Sequence, residues 1–77
     1  MAKYKVGLQL IGKASAIIVL NSIKNEIVYE SWIQTEDIID FFKDLSIPVI
    51  GTVVKISKRH PSLIELKNMG YSISEIT

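Results

Sequence analysis

The chain has no cysteine, which removes disulfides, thiolate metal sites and cysteine nucleophiles from consideration. It has a single histidine, His60, whose nearest acid in sequence is Glu65. A lone imidazole without convergent acids makes neither a metal centre nor a catalytic triad, and it reads as a polar residue entering a helix at Pro61, adding charge to its turn at lower pH. No apolar run approaches the eighteen or so residues that a membrane span needs. A secretory leader is not expected either, because the first apolar residues alternate with Lys3, Lys5, Gly7 and Gln9. A cytoplasmic location is the reading this favours. Alanine is scarce while isoleucine and lysine are abundant, a balance associated with AT-rich or thermophile sources. The net charge is only +1, too small to attract nucleic acid in bulk, so any such affinity must come from local clustering.

What the sequence does have is apolar surface. Its 77 residues, 48% of them hydrophobic, form one small domain spanning 1–77, and a domain of this size buries only about 60% of the surface its unfolded chain exposes. Apolar side chains are therefore left over for a partner or a second copy to cover.

Tyr4, Val6, Leu8 and Leu10 alternate with polar or small residues, the period of a strand with one face in the core. That strand is expected over about 3–11. After Gly12-Lys13, residues 16–20 are apolar on both faces, as in a more central strand. Asn21 and Asn25 bracket a second turn, and a third strand follows over 26–33, with Ile27, Tyr29 and Ile33 on one face and Val28 and Trp32 on the other. The period then changes. Thr35 suits an N-cap, and Ile38, Phe41, Phe42 and Leu45 recur at helical spacing over 36–45. Asp37, Asp40 and Asp44 fall on the outer side of that helix. Pro48 opens a further strand through Ile56, Ser62 and Glu65 fit a capping box for a second helix, and Gly70 stops it. Residues 71–74 alternate as an edge strand, with a helical end as the alternative.

The order is βββαβαβ, an α/β (α+β) fold in which a three-stranded antiparallel meander is extended by a parallel strand after a helix. Right-handed crossover allows strand four to pair beside strand one, in the spatial order 3-2-1-4-5. This element pattern resembles the ribonuclease H-like core. The resemblance implies a fold and little more, since that group holds metal with carboxylates on the first and fourth strands, and Val6-Gly7-Leu8-Gln9-Leu10 and Ile50-Gly51-Thr52-Val53-Val54 contain none. A plain meander carrying two helices accounts for the same order.

Strands one, three and four should end on one edge of the sheet, together with Lys13, Lys58, Arg59 and His60, and Lys55 if it reaches that far. Cations beside two helix N-termini favour phosphate. The expected function is therefore a non-catalytic binding or accessory protein that contacts nucleic acid or a ribonucleoprotein here. The alternative is a protein-interaction or homo-oligomeric module that uses the Val28 and Trp32 face. No metal, cofactor or catalytic set is expected, although an enzyme for a small phosphorylated ligand would use the same edge.

Overall fold

The computed structural model describes residues 3–76. Alternation organises the first half into three antiparallel strands, β1 (Tyr4–Ile11), β2 (Ala14–Asn21) and β3 (Glu26–Gln34). The turn between β2 and β3 is held by Asn21, whose Oδ1 accepts the backbone N–H groups of Ile23 and Lys24 at 3.1 Å, and by Asn25 in the left-handed region at φ 55°. A 3₁₀ turn (Thr35–Asp37) leads into α1 (Ile38–Asp44). Then come β4 (Thr52–Ser57), α2 (Leu63–Asn68) and β5 (Ser72–Ile76). The five strands form one α+β sheet in the order β3-β2-β1-β4-β5, with β1 and β4, and β4 and β5, parallel. The order expected from right-handed crossover is the one observed, and residues 72–76 are strand. Thr77 lies outside the described residues.

One face of the sheet carries the core. Val6 and Leu8 on β1, Ile17 and Val19 on β2, and Val54 and Ile56 on β4 are buried beneath Ile38 and Phe42 of α1 and Leu66 of α2, with Tyr71 closing the cluster. Phe42 stands edge-on to both Phe41 and Tyr71, with ring centroids 5.7 and 5.2 Å away, the arrangement the ring quadrupole prefers. Asp37, Asp40 and Asp44 are exposed, as their spacing implied.

Four local expectations are corrected. The fourth strand begins at Thr52, not at Pro48. Gly51 adopts φ +92°, the Thr52 hydroxyl donates to the Pro48 carbonyl, and the 48–51 segment becomes a turn whose Gly51 carbonyl accepts the N–H groups of Lys3 and Tyr4. Neither helix has a side-chain cap, because Thr35 and the Ser62 backbone are engaged elsewhere. Residues 16–20 are not buried on both faces, since Ile18 is 45% exposed. A bulge between Val19 and Leu20, where β2 meets β3, interrupts the alternation near Val28, so it does not share a simple two-residue period with Trp32.

Candidate functional site

Two surfaces have to be weighed, the edge at the carboxyl ends of β1, β3 and β4, and the sheet face that the helices leave bare.

At the edge, a row of polar side chains lies beneath the surface. His60 is 3% exposed and Ser15 is fully buried. The Ser62 backbone N–H donates to His60 Nδ1 at 3.0 Å, so the neutral ring carries its proton on Nε2 and donates it to Ser15 Oγ at 2.9 Å. Ser15 Oγ is also hydrogen-bonded to Thr35 Oγ1 at 2.8 Å. The chain of bonds ties β2, the 3₁₀ turn and the loop before α2 together. The expected surface position of His60 is thus corrected: Leu63 N–H bonds to the His60 carbonyl, and the tight turn folds the ring inward onto Ser15. Burial lowers the His60 pKa below its usual value by desolvation. Protonation at Nδ1 would also set two donors against each other. The Ser15–His60 pair has the reverse of the proton order that activates a serine, because the ring donates to the hydroxyl.

Sequence reasoning missed Ser15 and Thr35. The one available signal was the adjacency of β2 to β3 across Lys13, whose carbonyl accepts the Thr35 N–H at 3.0 Å.

Above this row the edge presents exposed Lys13, Lys58 and Arg59. Lys13 shares a shallow depression with Gln34, Thr35, Glu36 and Pro61, so an acid stands beside it. Both helices are short, seven and six residues, and the Ser62 N–H is already bound by His60, so positive potential at this edge comes from side chains. Lys55 lines one hollow together with Arg59 of that edge. It is paired across β1 with Gly7 and across β5 with Ser74, in mid-strand on the bare face.

That bare face is the second surface. Both helices pack on the same side, so neither covers Trp32. Trp32 is 64% exposed and Ile76 50%. An open hollow of about 580 Å³ runs across the middle, lined among others by Gly7, Gln9, Ala16, Ile18, Lys55 and Arg59. A Cβ placed on Gly7 would meet nothing within 4 Å, so nothing in its own chain requires glycine there. Tyr29, by contrast, turns to the helix side, 5.2 Å from the Phe41 ring, and Val28 is exposed at the bulge.

Among the described residues no group of histidine and carboxylate side chains is placed to hold a metal ion, and no helix is long and apolar enough to cross a membrane. No protein-family model, no curated protein and no solved structure matches the chain.

Proposed function

We propose that the chain is a non-catalytic binding domain, set in the cytoplasm, that works by docking the bare face of its sheet onto a protein. The observation that carries this reading is the placement of both helices on one side, which leaves Ile18, Trp32 and Ile76 in water on the other. Large aromatic side chains exposed beside aliphatic ones are the usual anchors of protein interfaces. Antiparallel sheets with one bare face normally alternate apolar inside and polar outside, and here the outer positions keep a substantial apolar share.

Trp32→Glu tests the reading. Because the indole is mostly exposed, the variant is expected to melt within about 0.5 kcal/mol of the natural chain. In extracts of cells expressing each form at native level, the natural chain is expected to elute in an assembly well above 8.7 kDa and the variant at chain mass. Elution of both at chain mass would refute the role of the face.

A second reading, contact with nucleic acid or a ribonucleoprotein, is favoured by one observation: Lys13, Lys58 and Arg59 are exposed along a single edge. Binding would be to phosphate and insensitive to base sequence. Fluorescence anisotropy with a structured RNA and a DNA duplex should then show a salt slope that falls by about 2 in the Lys58→Ala, Arg59→Ala variant. Flat traces for both proteins would retire this reading.

A further inference from the structure

On the bare face Glu30, Lys55 and the gap at Gly7 stand at positions related by symmetry, while Lys5, two residues before Gly7 on β1, has Leu20 as its counterpart. Read across the strands in register, one row runs Glu30 on β3, Ile18 on β2, Gly7 on β1, Lys55 on β4 and Ser74 on β5. A large side chain and a gap occupy its middle, with an acid one strand beyond the first and a cation one strand beyond the second. In the adjacent row Trp32 stands beside Ala16 and Gln9, and Ser57 beside Ile76.

We propose that this face binds a second copy of the same chain as a twofold, strand-aligned sandwich, in which Ile18 of each copy seats over Gly7 of the other and Glu30 pairs with Lys55. The proposal rests on the reading of the bare face as the working surface and names its occupant.

The symmetry operation follows from the row. A half-turn about an axis parallel to the strands, midway between β1 and β2, inverts the strand order and keeps the strand direction. Positions at equal distances on either side of the axis then face each other. Ile18 meets Gly7 twice, and Glu30 and Lys55, each one and a half strand spacings or about 7 Å from the axis, meet twice. Trp32 lies over Ser57 of the second copy, between its Arg59 and Ile76, where cation–π attraction adds to burial.

The other in-plane axis, perpendicular to the strands, would set Glu30 on Glu30 and Lys55 on Lys55, and like charges facing each other are unfavourable. Self-complementarity of this kind is what a twofold interface demands. Two sheets packed face to face stand about 10 Å apart with strands nearly aligned, a gap that glutamate and lysine side chains can bridge.

Gly7 supplies an independent argument. Glycine weakens a strand interior and there marks a close approach by something else, yet nothing of its own chain approaches it. The size is adequate as well. Four of the five strands overlap about this axis, with β5 of each copy lying outside β3 of the other, and the overlap of roughly 19 by 20 Å is that of an interface at the small end of the range. Because the axis keeps strand direction, the two copies present Lys13, Lys58 and Arg59 at the same end, doubling the cationic edge.

Sedimentation equilibrium of the purified full chain tests the proposal, with Gly7→Val, Glu30→Lys, Lys55→Glu and the double charge reversal as variants. The natural chain is expected to reach twice its 8.7 kDa mass at micromolar concentration. Each single reversal should weaken association about tenfold or more and the double reversal recover most of that loss. Gly7→Val, which has room for its side chain in the isolated fold, should keep the far-ultraviolet spectrum and melting cooperativity of the natural chain yet sediment at chain mass.

A natural chain that stays at 8.7 kDa to hundreds of micromolar overturns the proposal, as does a dimer indifferent to Gly7→Val and to the charge reversals, which would point to pairing through the β3 edge. If the purified chain is monomeric while its cellular assembly still depends on Trp32, the second copy is excluded and the face serves a different protein.

Discussion

Replacing Phe42 with alanine is expected to cost about 3–5 kcal/mol, the largest effect of any single truncation in the chain. Phe42 is the largest fully buried side chain, and it touches three layers at once, the sheet below, Phe41 on its own helix and Tyr71 before β5. Its removal leaves a cavity that α1, only seven residues long, cannot close by shifting without losing Ile38. A domain of this length has roughly 4–12 kcal/mol of stability in all, so the variant should melt roughly 15–30 °C lower than the natural chain. Thermal unfolding followed by circular dichroism checks this, and a loss under about 1 kcal/mol would mean that α1 is not part of the core. The contrast with Trp32 is informative, because a larger aromatic on the bare face should contribute almost nothing to the fold of one copy.

That contrast also explains how far the sequence could be read. Strand existence, helix placement and the order 3-2-1-4-5 were legible because alternation, its change to helical spacing at Ile38, and crossover handedness all act through local or topological rules. Which face of the sheet would be covered was not. Leu20 and Ile18 look the same in sequence as Ile17 and Val19, and a run apolar on both sides cannot say whether its second layer comes from its own chain or from another.

The candidate edge was legible in outline through Lys13, Lys58 and Arg59. It failed at His60, where the orientation of one side chain decides the role. His60 follows two residues of turn, and only the tertiary adjacency of Ser15 shows that the ring folds inward. The N-cap at Thr35 and the capping box at Ser62 and Glu65 failed for the same reason. Thr35 bonds Ser15, and His60 takes the Ser62 N–H, so a tertiary bond displaced the local one that the spacing suggested.

His60 makes the fold sensitive to acid, and stability is expected to fall as pH drops below about 6.5. The sign follows from where protons bind. Burial depresses the folded-state pKa, so over the interval between that lowered value and the unfolded value near 6.5 the unfolded chain holds a proton that the folded chain lacks. Stability therefore rises with pH across this interval, is fully present above it, and is lost on acidification at a rate of at most ~1.4 kcal/mol per pH unit for one proton.

Hydrogen bonding acts in the same direction, because a charged imidazole has no acceptor to offer the Ser62 N–H. His60→Asn removes the titration and leaves an amide oxygen about where Nδ1 stands. Every other titratable group is common to both proteins, so the difference between them in how the urea midpoint changes from pH 7.5 to 5.5 isolates the histidine. The natural chain should lose stability over that range while His60→Asn, less stable at pH 7.5, stays nearly flat. Equal slopes in the two proteins would mean that the ring is protonated without penalty, and the buried chain of bonds from His60 to Thr35 would have to be abandoned. If the slopes differ as expected, the consequence reaches the surface. The His60–Ser15–Thr35 bonds position the loops that carry Lys13 and Arg59, so acid would loosen the cationic edge before it disturbs the bare face, and phosphate contact would weaken at a pH where self-association persists.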